Sequence, residues 1–138
     1  MKASIALAEL DRAECLRLLG AAVVGRIVFT EGALPAIRPV NFRLDGDEIV
    51  FRTATGGTLA AATRHCVVAF EVDEIDPRTH TGWSVVVVGQ AYEIADIDRL
   101  VRLADPEHTP RPAHSTDHTM AIPIHHLSGR RLVLCAPA

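Results

Sequence analysis

The pair Asp45-Gly46 constrains the fold of this 138-residue chain more than any other feature of its sequence. It lies inside the stretch 37–59, IRPVNFRLDGDEIVFRTATGGTL, where β-type residues stand on both sides of it. Asp-Gly in that setting is a strong signal for a two-residue hairpin. Counting outward from a type I′ turn at this pair places opposite charges on one face and apolar side chains on the other. The predicted pairs are Arg43 with Glu48, Phe42 with Ile49, Val40 with Phe51, and Arg38 with Thr53.

The position of Arg38 in this hairpin indicates an anion-binding site. Strand alternation puts it on the apolar face, where a guanidinium needs an anion or several acceptors. Beyond its predicted neighbour Thr53, the chain opens into a short helix at 59–64, and free backbone N–H groups at a helix start favour an anion. The sequence therefore predicts a phosphate pocket at this end. One alternative is that Arg38 points to water. A second question stays open for Arg52, which lies on the opposite face and reaches the phosphate only if the strand ends or twists there.

The rest of the chain predicts a mainly β protein. Period-two segments give six or seven strands, including 25–30, 66–75, 83–94, 120–124 and 132–134, with a turn at Ser128-Gly129. Helical spacing gives two or three short helices, at 8–21, 59–64 and 96–104. No repeat or linker is visible, so we expect a single domain over 1–138, built as a small antiparallel barrel.

Composition excludes several classes of function. A net charge of -3 gives no electrostatic reason to expect a nucleic-acid partner. Three widely spaced cysteines and no C-x-x-C pattern argue against a disulfide framework or a zinc site. No apolar run has the length of a membrane span or a signal-peptide core. We expect a cytoplasmic protein with no bound metal and no membrane partner.

Several segments, in order, resemble the pyridoxamine 5′-phosphate oxidase family of FMN-binding split barrels. They are GRIVF at 25–29, RPVNF at 38–42, DGDEIVFRT at 45–53, Gly56, LAAA at 59–62, VAFEVD at 68–73, GWSV at 82–85 and GRR at 129–131. The resemblance covers most of 10–132. It implies a six-stranded split barrel that forms a homodimer, with FMN in two clefts at the subunit interface.

The resemblance also implies which residues hold the cofactor. The segment at 38–42 would line the flavin ring and ribityl chain, the segment at 52–59 would hold the phosphate, and the segment at 82–84 would approach the ring. The loop at 108–117 and the second subunit would complete the cleft. The cofactor-binding residues expected on this basis are Arg38, Pro39, Val40, Asn41, Arg52, Thr53, Thr55, Gly57, Thr58, Leu59, Trp83 and Ser84. Taken alone, Trp83 is equally consistent with a core residue.

One position departs from the family pattern. Relatives commonly carry a basic residue where this chain has Thr58, and a charge-assisted hydrogen bond is worth about 1.5–3 kcal/mol. Either Arg38 and Arg52 suffice, or FMN binds loosely, or the ligand differs.

The function expected from the resemblance is a flavin-dependent oxidoreductase acting on an unknown small-molecule substrate or electron donor. No catalytic nucleophile is evident, so any chemistry would belong to the cofactor. The alternatives are a non-catalytic flavin or haem protein and a reductase that uses the deazaflavin F420.

Overall fold

The computed structural model describes residues 4–54, 57–104 and 117–135, which form nine strands and three helices. The strands are β1 (Ser4–Glu9), β2 (Val24–Glu31), β3 (Leu34–Asp45), β4 (Glu48–Thr53), β5 (Val67–Asp76), β6 (Thr81–Gln90), β7 (Tyr92–Glu93), β8 (His118–Pro123) and β9 (His126–Cys135). The helices are α1 (Arg12–Ala21), α2 (Leu59–Thr63) and α3 (Ile97–Leu103).

All nine strands belong to one antiparallel sheet. Their order is β1-β9-β6-β5-β2-β3-β4-β8-β7, and within the described residues the sheet does not close on itself. The mainly β prediction and the three short helices are confirmed. The count of six or seven strands is too low, because it omitted β1 and treated β7 as part of β6. β1 pairs along its whole length with β9, so a distant partner decides its conformation.

The predicted turn at Ser128-Gly129 is also wrong, because both residues lie inside the continuous strand β9. The reason is packing of α1, which begins after the N-cap Asp11 and buries Cys15 against the sheet. A Cβ on Gly129 would come within 2.5 Å of the Cys15 Sγ. The glycine at position 129 therefore allows the close approach of α1 to the sheet and does not form a turn.

The β3–β4 hairpin forms in a different register from the predicted one. Gly46 has φ 59° and Asp47 is not among the positive-φ residues, which matches a turn with glycine at its first central position. Asp45 consequently pairs with Glu48, and Arg43 pairs with Val50 rather than with Glu48. The other observed pairs are Leu44 with Ile49 and Phe42 with Phe51.

This register places the carboxylates of Asp45 and Glu48 opposite each other, which by itself is destabilising. Arg99 of α3 compensates, because its Nη2 lies 3.0 Å from Asp45 Oδ2 and 2.8 Å from Glu48 Oε1. Arg102 adds a second contact to Asp45 at 2.9 Å. A helix more than 50 residues away along the sequence thus stabilises the register.

The two faces of the sheet differ in character. The inner face carries the main core, where Ile27, Phe70 and Val85 are fully buried and the Phe42 ring meets Phe70 edge-on at 4.8 Å. The outer face of β2, β3 and β5 stays open to solvent within the chain. It presents apolar side chains that are 50%, 63% and 70% exposed at Val24, Ile37 and Val67.

Candidate functional site

The hydroxyl of Thr58 and the guanidinium of Arg38 meet at one end of the sheet. Arg38 Nη2 donates to Thr58 Oγ1 at 3.5 Å, and the Arg38 guanidinium lies 5.6 Å from the centre of the Phe29 ring. Arg38 points to the inner face, and its side chain is 42% exposed. The structure thus brings together two residues of the predicted phosphate pocket, 20 positions apart in the sequence.

Glu31 is a third member of this cluster, and the sequence did not indicate it. Thr58 Oγ1 donates to Glu31 Oε2 at 3.0 Å, and Arg38 Nη2 lies 3.6 Å from the same oxygen. Glu31 is the last residue of β2 and reads as an ordinary turn residue beside Gly32. The cluster therefore contains one cation, one anion and one hydroxyl, and its formal charge is zero.

Thr53 supplies a buried hydroxyl at the end of β4. The residue is 6% exposed, and its Oγ1 has no hydrogen-bond partner among the described residues. A buried hydroxyl without a partner costs about 1–3 kcal/mol, so such groups usually meet a ligand or water. On the β8 side Thr53 pairs with His118. On the β3 side Phe42 pairs with Phe51, two residues away from the predicted register, so the predicted pairing of Arg38 with Thr53 is wrong.

The chain between Thr53 and α2 is partly described. Thr55, a predicted phosphate ligand, and Gly56 lie outside the described residues. The N–H of Gly57 donates to the carbonyl of Ala54 at 3.3 Å, so it closes a turn. Thr58 occupies the N-cap position of the five-residue helix α2, but its side chain makes no capping bond.

Leu59, the first residue of α2, is 6% exposed and packs into the main core. Leu59 therefore anchors the start of α2 in the core, whereas the sequence predicted that it would contact the phosphate. Its carbonyl accepts a hydrogen bond from the buried hydroxyl of Thr63 at 2.8 Å.

Strand alternation divides the predicted ligands of β3 between the two faces. Val40 lies on the inner face with Arg38 and packs against the main core. Pro39 and Asn41 are exposed and lie on the outer face, opposite Arg26 and Val24 of β2. A single cleft on one face of the chain therefore cannot be lined by the side chains of Arg38 and Val40 together with those of Pro39 and Asn41.

Arg52 and the two residues of β6 lie apart from the cluster. Arg52 is half-buried, pairs with Thr119 of β8 and points away from the face of Thr53, as alternation predicted. Trp83 packs against the main core, while Ser84 lies opposite Asp73 on the outer side. The strands β5 and β2 separate β6 from β3 in the sheet. The chain alone does not bring Trp83 or Ser84 to Arg38 along the sheet.

A histidine, a glutamate and an arginine form a second cluster next to Thr53. His118 Nδ1 lies 2.9 Å from Glu93 Oε2, and Arg64 donates to the other oxygen of Glu93. The hydrogen bonds from His118 and Arg64 hold the pKa of the Glu93 carboxyl below its usual range. The carboxylate thus stays ionised and holds both side chains in place. No local sequence pattern indicates this contact, because the three residues lie in separate parts of the chain.

The outer face carries a charged group in its centre. Arg26 Nη1 lies 3.1 Å from Glu71 Oε1 and 3.1 Å from Asp73 Oδ2. Burial, together with a hydrogen bond and charge repulsion from Asp73, raises the pKa of Glu71 to about 7. One guanidinium therefore compensates two carboxylates on an otherwise apolar surface.

Two further kinds of site are absent from the described residues. No group of three or more His, Cys, Asp or Glu side chains is arranged to hold a metal ion in these parts of the chain. Across the same residues, no helix combines the length and apolarity needed to cross a membrane.

Sequence comparison relates the chain to one protein family and to a mycobacterial protein. The family model described as pyridoxamine 5′-phosphate oxidase matches residues 11–131. The uncharacterized protein Rv0080 of Mycobacterium tuberculosis is 46% identical over 99 residues, which cover 68% of this chain and 65% of that protein. The chain therefore spans slightly less than two thirds of this relative.

Two solved structures are similar over almost their whole length. The FAD binding protein from Mycobacterium smegmatis has 31% identity and a TM-score of 0.72, covering 91% of this chain and 98% of its own. The conserved protein DIP1874 of unknown function from Corynebacterium diphtheriae has 34% identity and a TM-score of 0.74, covering 92% of this chain and 98% of its own.

Proposed function

The chain belongs to the pyridoxamine 5′-phosphate oxidase family, and we propose that it binds a flavin whose phosphate lies between Arg38, Thr58 and Thr53. The observation that carries this proposal is the hydroxyl of Thr53, which is buried and lacks a partner among the described residues. The relative from Mycobacterium smegmatis, named an FAD binding protein, supports the class of ligand.

The residues present fit a flavin phosphate. Arg38 supplies a charged donor, and the hydroxyls of Thr58 and Thr53 supply neutral ones. The hydroxyl of Thr58 stands where relatives carry a basic residue. The pocket therefore has the donors for a phosphate but less positive charge than the family pattern leads one to expect.

The proposal includes a homodimer that uses the outer face of β2, β3 and β5. This face exposes Val24, Ile37 and Val67, and an apolar surface of this kind is typical of an interface. It also carries Pro39 and Asn41 and continues onto β6 at Ser84, and these expected ligands cannot share a cleft with Arg38 inside one chain. A second subunit would give these residues a role at the edge of the partner's cleft, in the manner of a split barrel.

The activity proposed is that of an oxidoreductase acting on a small molecule in the cytoplasm. A bound flavin, FMN or FAD, would supply hydride transfer. The chain would anchor the phosphate through Arg38 and hold the ribityl chain against Val40. Trp83 and the second subunit would exclude water from the ring.

Titration of flavin-free protein with riboflavin and FMN tests the proposal. We expect the wild type to bind both, with quenching of flavin fluorescence. Arg38→Ala should weaken FMN binding about tenfold, since Arg38 is half-exposed and part of a charge-assisted bond worth about 1.5–3 kcal/mol is screened. Riboflavin, which lacks the phosphate, should bind the variant as before.

The matched control is Arg78→Ala, which removes an exposed arginine in the turn after β5. It should change neither affinity. An equal loss of riboflavin and FMN binding in Arg38→Ala would show that Arg38 does not contact the phosphate. Absence of binding to any flavin by the wild type would refute the proposed function.

A further inference from the structure

Glu31 places a carboxylate at the point where the proposed flavin phosphate would bind. Its Oε2 accepts a hydrogen bond from Thr58 Oγ1 at 3.0 Å and lies 3.6 Å from Arg38 Nη2, with which it forms an ion pair. The carboxylate is 43% exposed and the guanidinium 42%, so a ligand reaching Arg38 from solvent comes close to Glu31 as well.

The charge of the ligand at this point therefore affects how tightly it binds. A terminal phosphate such as that of FMN carries a charge of about −1.5 to −2 at pH 7, whereas each phosphate inside a dinucleotide carries about −1. The cluster of Arg38, Glu31 and Thr58 has a formal charge of zero, so it offers no net attraction to two charges concentrated on one phosphate, whereas a dinucleotide spreads a total of about −2 over two phosphates. Repulsion between the carboxylate and the phosphate grows with the phosphate charge.

We infer that Glu31 is a specificity-determining residue of this site, which disfavours the terminal phosphate of FMN and favours a flavin dinucleotide. The inference rests on the proposed function and adds to it the choice between two flavins. A carboxylate beside a pyrophosphate also has a favourable use, because it can accept a hydrogen bond from a ribose hydroxyl of the nucleotide.

This arrangement gives a physical account of Thr58. A lysine at position 58 would pair with Glu31 and leave the formal charge of the cluster at +1, which suits a doubly charged phosphate. Threonine instead donates to Glu31 and keeps the carboxylate in place. The pair Glu31 and Thr58 therefore acts as one unit that sets the charge of the pocket.

Equilibrium titration of flavin-free protein with riboflavin, FMN and FAD tests the inference, comparing the wild type with Glu31→Gln. We expect the wild type to bind FAD more tightly than FMN. In Glu31→Gln the affinity for FMN relative to riboflavin should rise about tenfold, because a repulsion between partly exposed charges has been removed. The preference for FAD over FMN should fall.

Glu9→Gln is the matched control, because it removes the same charge at an exposed residue at the end of β1. It should leave all three affinities unchanged. Riboflavin binding by the wild type measures the proposed function separately. If riboflavin binds and the ratio of FMN to riboflavin affinity is the same in the wild type and Glu31→Gln, the inference is wrong while the proposed function stands. If no flavin binds to the wild type, both are wrong.

Discussion

Replacing Thr53 with valine should have opposite effects on the free protein and on its complex with a flavin. Thr53 is 6% exposed, and its hydroxyl has no partner among the described residues. A buried hydroxyl without a partner costs about 1–3 kcal/mol, and an apolar group of similar shape removes that cost. We expect Thr53→Val to stabilise the flavin-free protein by about 1 kcal/mol, which raises the thermal midpoint by about 3–5 °C for a domain of this size.

Flavin binding should weaken in the same variant. The lost hydrogen bond to a charged phosphate is worth about 1.5–3 kcal/mol, which corresponds to about tenfold or more in the affinity for FMN or FAD. Riboflavin binding should change little. Differential scanning fluorimetry of the flavin-free protein and fluorescence titration give the two quantities separately.

Thr63→Val is the control for this prediction. Thr63 is fully buried as well, but its hydroxyl already donates to the carbonyl of Leu59 at 2.8 Å. This change should lower the thermal midpoint, because it removes a hydrogen bond that is made. If Thr53→Val lowers the thermal midpoint of the flavin-free protein as Thr63→Val does, the hydroxyl of Thr53 has a partner and the reasoning fails.

Two further predictions concern stability. Glu71→Gln should match the wild type in thermal midpoint at about pH 4 and exceed it at about pH 8. The folded-state pKa of Glu71 is raised to about 7, so the wild type loses stability as the pH rises from about 4.5 through 7, whereas glutamine does not titrate. Equal differences in thermal midpoint at both pH values would contradict the raised pKa. Ala33→Gly should stabilise the protein by about 0.5 kcal/mol in urea unfolding. Ala33 has φ 66° in the β2–β3 turn, and glycine relieves the strain of that conformation. The gain is reduced because glycine also increases the conformational entropy of the unfolded chain. Ala36→Gly in the extended part of β3 is its control and should destabilise, and a loss of stability in Ala33→Gly would show that the turn carries no strain.

The local features of the fold could be predicted from the sequence where short-range chemistry decides them. Asp11 with Glu14 three residues later has the spacing of a helix N-terminus, and the carboxylate of Asp11 accepts a hydrogen bond from the N–H of Glu14 at 2.8 Å. The hairpin at Gly46 exists, but its register differs from the prediction by a shift of the turn by one residue. The prediction considered cross-strand pairs alone, whereas Arg99 of a distant helix compensates the like charges of Asp45 and Glu48.

The candidate site was predictable only in part for the same reason. Arg38 and Thr58 were expected together, because both follow from the hairpin and the helix after it. Glu31 and His118 were missed, since their contacts join strands whose adjacency no local pattern gives. Pro39 and Asn41 lie on the opposite face of β3 from Arg38 because side chains alternate along a strand. This separation could have been predicted from the sequence.

The central claim is that this chain binds a flavin, and the most direct test is the identity of what the purified protein releases. The full chain, purified without added cofactor, would be denatured with acid, and the supernatant would be separated and identified by mass spectrometry against riboflavin, FMN and FAD. Flavin-free preparations would be reconstituted with each compound and reanalysed. We predict a flavin at close to one molecule per chain, with FAD retained more fully than FMN. Protein that is colourless as purified and retains none of the three flavins after reconstitution would contradict the account.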